Sequence, residues 1–273
     1  MDLVVRSEAC ADHGSLLGKL GSRHPLAFLR GGDGIVGLGE QLRLEFTGPS
    51  RITDAAAAWR TLVQSATVDD TVQLPGSGLV ALGSFAFADG SAATSMLIVP
   101  SVVLGRRDGV SWITRIGTAP DDEEPGDPFS ATFAEGALDA SGYKLAVAEA
   151  VRRVVLHKAR KVVLARDLVA RIRPDADLRL PLGRLAEAYP DTFTFSVAGL
   201  MGSSPETLVR SHAGVVTARV LAGSAARGTD ETADAEAAAT LAASHKDVNE
   251  HSYAIRSVIE VLDPLTSELT STA

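Results

Sequence analysis

The stretch SMLIVPSVVLGRRDGVSWITRIG, residues 95–117, decides the fold class. Its two apolar runs, SMLIVPSVVL and VSWITRI, are rich in β-branched residues and are punctuated by Asp108-Gly109, a dipeptide that favours the tight turn of a hairpin. Upstream, LVALGSFAFA (79–88) reads the same way and ends near a second turn signal, Asp89-Gly90. Together these runs predict an antiparallel meander. Earlier still, GGDGIVGLGE (31–40) reads as turn, strand and turn, and DAAAAWRTLVQSA (54–66) as a short helix with Asp54 as its N-cap.

Beyond the meander the grammar changes. TAPDDEEPGDPF (118–129) is acidic, holds three prolines and reads as an exposed, linker-like loop. Val147, Ala150, Val151, Val154 and Val155 recur at helical spacing, so residues 141–158 read as a helix. KVVLARDL (161–168) reads as a strand, residues 181–189 as a short helix and TFTFSVA (192–198) as an alternating strand. GSSPE (202–206) reads as a turn leading into TLVR, and residues 214–221 as a strand ending in the glycine-bearing turn LAGSAARG (221–228). From Glu231 onward the chain reads as helical, with Val248, Ile255, Val258, Ile259 and Leu262 on one face. The order of strands, helix, strands, helix is an α+β pattern rather than a regular alternation. It divides into a β-rich part, 1–130, and a part, 131–273, that carries the chemistry-bearing segments.

Composition narrows the function. The chain has 273 residues, 45% hydrophobic and 22% charged, with a net charge of −8, values ordinary for a globular protein. The acidic balance argues against broad binding to nucleic acid or anionic membranes. One cysteine, Cys10, excludes an intrachain disulfide. With no secretory leader and no apolar run of membrane-spanning length in view, the expected location is the cytoplasm.

Four segments hold candidate chemistry: KVVLAR (161–166), GSSPE (202–206), LAGSAARG (221–228) and KDVNEH (246–251). Each has an ordinary explanation. Lys161 suits a solvated strand end. Glu206 after Ser204-Pro205 suits a helix N-terminus. The glycines suit a tight turn. Asp247, Glu250 and His251, at i, i+3 and i+4, suit a solvated acidic helix face.

In this order and spacing, however, the four segments resemble the chorismate-utilising enzymes, which include isochorismate, salicylate, anthranilate and aminodeoxychorismate synthases. The resemblance is clearest from Tyr143 to Val261. It implies an α+β fold of layered, largely antiparallel sheets with outer helices, as in component I of anthranilate synthase. It also implies that the family's usual C-terminal portion, with a further magnesium-binding glutamate and carboxylate-binding groups, has no counterpart here.

For Lys161 the resemblance implies a general base that activates water at C2 of chorismate. An ordinary lysine titrates near about 10.4 and is a poor base at neutral pH, so that role demands burial or a nearby cation. Glu206 becomes the general acid on the departing C4 hydroxyl. Glu250 becomes a magnesium ligand, with Asp247 a water-mediated neighbour and His251 a supporting group. Ala222, Gly223 and Ser224 become the lining of the substrate pocket. Lysine rather than glutamine at 161 points to water, not ammonia, as the nucleophile, and so to no amidotransferase partner. Alanine at 222, where aminodeoxychorismate synthases usually carry a lysine nucleophile, points the same way. His245 departs from the glutamate of some siderophore-type members.

The expected activity is therefore magnesium-dependent conversion of chorismate to isochorismate, in a monomer or homodimer. The alternatives are a salicylate synthase and a truncated, non-catalytic chorismate-binding paralogue.

Overall fold

The computed structural model describes residues 2–121, 123–159 and 161–271. Fifteen strands and five α-helices follow one another in these residues: β1 (Val4–Cys10), β2 (Leu26–Arg30), β3 (Asp33–Leu38), β4 (Leu42–Phe46), α1 (Arg51–Ser65), β5 (Thr67–Asp70), β6 (Leu82–Ser84), β7 (Ser95–Val99), β8 (Val102–Arg107), β9 (Val110–Arg115), β10 (Thr132–Glu135), α2 (Ala140–Val155), β11 (Leu168–Arg171), α3 (Arg179–Ala188), β12 (Phe193–Val197), β13 (Leu200–Ser204), β14 (Arg210–His212), β15 (Val215–Thr217), α4 (Glu231–Ala243) and α5 (His245–Leu262). They form two compact units, each discontinuous in sequence: Met1–Thr132 with Arg171–Pro205, and Phe133–Ala170 with Glu206–Ala273. The sequence reading divides the chain at residue 130; the units divide it at 132 and again around the segment that returns to the first.

The first unit is built on an eight-stranded sheet in the order β13-β12-β2-β3-β8-β9-β1-β5. Every pairing is antiparallel except that of β1 with β5. The hairpin β8–β9 turns at Asp108 and Gly109, both with positive φ, the backbone that the Asp-Gly signal demands. The meander expected from residues 79–117 is split, however. β7 pairs with β4 and β6 in a separate three-stranded sheet, while β8 joins the large one. Pro100 separates the two strands, and a residue without an N–H cannot extend a ladder.

Three apolar clusters hold these layers together. Leu16, Leu20, Ala27, Leu29, Val36, Val102, Leu104 and Leu182 join α3 and a 3₁₀ turn at residues 17–19 to the large sheet. Leu26, Leu82, Ile98 and Val197 join the two sheets. Leu3, Val5, Leu62 and Val99 seat α1. Trp112 on β9 is wholly buried, and its indole lies where a Cβ on Gly105, its cross-strand partner, would stand; any larger residue at 105 expels the ring. The result is an α+β arrangement of layered, largely antiparallel sheets with outer helices.

The acidic stretch 118–129, of which Asp122 lies outside the described residues, has neither helix nor strand, as expected, yet it is tied down. The Arg179 guanidinium, itself buried, donates to the carbonyls of Leu20, Glu123 and Glu124 and to both oxygens of buried Asp177. Asp177 accepts in turn from the amide of Gly126. Two other expectations are corrected. The first helix begins at Arg51 rather than Asp54, with Ser50 at the cap and its hydroxyl donating to Asp54. Gly202, Ser203 and Ser204 belong to β13, which folds back on β12 through a turn at Ala198-Gly199 where both residues have positive φ.

The second unit holds the two-stranded sheets β10–β11 and β14–β15 with α2, α4 and α5. All three helices are capped at the N-terminus by a side chain that accepts from the first turn: Asp139, Asp230 and Ser244. No described helix in either unit is long and apolar enough to cross a membrane.

Candidate active site

Of the expected site residues, Lys161, Gly223, Asp247 and Glu250 meet in the second unit, around the first turns of α5. Ser244 caps this helix by accepting from the Asp247 amide and donates its hydroxyl to Asp247 Oδ2 at 2.5 Å. That reciprocal pair fixes where the helix begins and occupies one oxygen of Asp247. One turn on, Glu250 Oε1 meets Lys161 Nζ at 3.0 Å, with each side chain about one-third exposed. The residue expected as a base thus sits on the residue expected as a metal ligand.

Lys161 does not lie in a strand. Residues 161–167 are irregular, and the strand read from KVVLARDL shrinks to Leu168–Arg171. β-branched residues favour a strand only where a partner offers a ladder, and here pairing begins further along, against β10. The segment is held at its far end instead. Tyr143 Oη donates to the Leu164 carbonyl at 3.4 Å, Arg166 pairs with Glu135 at 3.1 Å, and Asp167 accepts from the Ala137 amide at 3.0 Å.

The LAGSAARG loop connects β15 to α4 and packs back on α5. Gly223 has φ +84°, a backbone that strains any side chain, and a Cβ there would crowd Asp247 Cβ at 3.1 Å and Leu241 at 3.3 Å. Ala222 is half-buried and Ser224 exposed. The end of the loop is anchored by Asp234, which accepts from the Gly228 amide and from Arg227 Nε; those contacts, the amide first, hold its carboxyl below the usual range. His251 Nε2 lies 3.3 Å from the Val220 carbonyl. A carbonyl only accepts, so Nε2 carries the proton in that contact and is not a metal-binding nitrogen there, in keeping with a supporting role.

Three of the four segments are thereby joined: Lys161 through Glu250, the 220–223 loop through His251 and Asp247, and α5 itself. The fourth, Glu206, is exposed in the connection between β13 and β14 and enters the site on the resemblance alone. Sequence reasoning missed the Lys161–Glu250 pairing, and nothing in either segment's composition signals it.

Among the described residues no group of three or more His, Cys, Asp or Glu is arranged to hold a metal ion. The donor chemistry nonetheless fits magnesium in one respect. Glu250 presents a hard carboxylate oxygen, and magnesium usually takes only one or two protein carboxylates, completing its shell with waters and substrate oxygens.

Comparison with known proteins shows the family and the fold. Residues 112–273, more than half of the chain, match the sequence profile of a family described as chorismate binding enzyme. A protein of Aeromonas hydrophila assigned as an isochorismate synthase is 34% identical over 135 residues, 48% of this chain and 34% of its own. Isochorismate synthase EntC of Escherichia coli is 36% identical over 128 residues, 45% of this chain and 33% of its own. The chain therefore matches about a third of the length of these relatives. In fold it is similar to MenF, the menaquinone-specific isochorismate synthase of Escherichia coli, with a TM-score of 0.72 at 18% identity over 96% of this chain and 64% of that one.

Proposed function

This chain belongs to the chorismate-binding enzyme family, and from that premise we propose that it serves the conversion of chorismate to isochorismate. Water adds at C2, hydroxyl leaves from C4 and the ring double bonds shift. Lys161 takes the proton from water, and Glu206 gives one to the departing hydroxyl. Glu250 holds magnesium, with Asp247 acting on it through water; the ion, when bound, supplies positive charge for the ring carboxylate of the substrate. Ala222, Gly223 and Ser224 line the ring, and the small side chain at 222 leaves room for water. Lysine at 161 requires no ammonia donor.

The observation that supports this reading is the 3.0 Å approach of Lys161 to Glu250, which sets the proposed base beside the proposed metal ligand; the contact supplies neither the burial nor the nearby cation that a basic lysine demands, so Lys161 acts only once it has parted from this carboxylate. The test is incubation of the purified chain with chorismate and magnesium, followed by chromatography of the products. Isochorismate is expected, with a loss of about a hundredfold or more in Lys161→Ala and in Glu206→Gln, the scale of a lost acid or base. Salicylate with pyruvate would instead make the chain a salicylate synthase. Binding of chorismate without turnover would leave a non-catalytic paralogue.

A further inference from the structure

We infer that Lys161 and a magnesium ion compete for Glu250, so that metal entry and the release of Lys161 are one event; the inference rests on the reading of Glu250 as the metal ligand. Lys161 Nζ stands 3.0 Å from Glu250 Oε1. A magnesium ion binding that oxygen would approach to about 2.0–2.1 Å. Two cations on one carboxylate oxygen repel each other at short range, and neither side chain is enclosed deeply enough to be forced to stay.

The two partners are held differently, which decides which one moves. Glu250 lies on α5, whose first turn is fixed by the Ser244–Asp247 pair and whose His251 meets the Val220 carbonyl. Lys161 begins an irregular segment whose pins, at Leu164, Arg166 and Asp167, lie three or more residues further on. The helix stays and the lysine swings. The neighbouring cation at this end of the helix, Lys246, lies 3.7 Å from Asp247 Oδ1 and so pairs with Asp247. A lysine that parts from Glu250 only when metal arrives is delivered to the substrate only when the substrate's carboxylate anchor is in place.

The test is calorimetric titration of magnesium into the whole chain without substrate, in the native protein, Lys161→Ala, Lys161→Arg and Glu250→Gln. Partly exposed ion pairs are weak, so Lys161→Ala should bind magnesium roughly two- to fivefold more tightly than the native chain. Lys161→Arg, which keeps the cation, should gain nothing. As a second readout, Lys161 should acylate faster with a small anhydride when magnesium is added, while Lys144 on α2 keeps its rate. Equal or weaker binding in Lys161→Ala, with binding lost in Glu250→Gln, would overturn the competition and leave Glu250 as the ligand. Unchanged binding in Glu250→Gln would remove the ligand assignment and the competition with it. No magnesium uptake by the native chain or by Lys161→Ala would do the same.

Discussion

The two units are stabilised in different ways. Every residue fully withdrawn from solvent lies in the first unit, among them Trp112, Leu182, Val36 and Val103; among the described residues of the second there is none. The second unit is not short of apolar residues. Leu145 and Val151 on α2 and Val248 on α5 are more than half exposed. The periodicity that marks a helix is therefore present in both units, but only in the first does it lead to full burial; Ile255, Val258, Ile259 and Leu262 on α5 are half-buried. Burial of apolar area is the main driving force of folding, so the first unit owes its stability to its interior. The second relies on helix caps, ion pairs and local hydrogen bonds, each worth far less. The candidate chemistry sits in the unit with the weaker hold, where a side chain such as Lys161 can be re-paired cheaply.

That contrast can be broken or sharpened by mutation. Trp112→Ala should cost about 3–5 kcal/mol, followed by circular dichroism in urea, whereas Leu145→Ala should stay within about 0.5 kcal/mol; a comparable loss at both sites would erase the distinction. Removing one partner of the buried ion pair, in Arg179→Ala, should cost about 3–5 kcal/mol and free the acidic stretch 118–129 to limited proteolysis. The same pair gives the first unit a pH signature. Hydrogen bonds from Arg179, foremost, hold the Asp177 carboxyl below the usual range. Its contribution is therefore present in full above the unfolded value of about 3.9 and is lost as the pH falls through the lower folded value. Arg179→Ala should accordingly flatten the acid limb of stability below about pH 4. The smallest effect belongs to the second unit: Ser244→Ala should cost about 1 kcal/mol, read as faster amide exchange in the first turn of α5.

Much of the fold could be read from residues with short-range consequences. The Asp108-Gly109 turn, α2, α3 and β12 follow from local pattern, and the four chemistry-bearing segments carried the family. What stayed hidden depends on partners distant in the chain. KVVLARDL has the composition of a strand, but whether it pairs is settled by β10 and not by its own residues. The pairing of β1 with β5, and the return of residues 171–205 to the first unit, are likewise non-local. Asp177 and Arg179 stand in the run RPDADLR (173–179), where nothing separates them from Arg173 and Asp175; only the structure shows which pair is buried. In the site, the helix that carries Asp247, Glu250 and His251 was legible, while its start at the Ser244 cap and the meeting of Lys161 with Glu250 were not.

The buried indole of Trp112 has an optical consequence. The chain has two tryptophans, Trp112 and the partly covered Trp59 on α1, which packs beside Leu3 and Val5, and both belong to the first unit. Intrinsic fluorescence excited at the red edge therefore illuminates one unit and leaves the other dark. A sample whose α4 and α5 had frayed would keep the emission of a native protein, and a tryptophan placed on α5 would be needed before light could report on the candidate site.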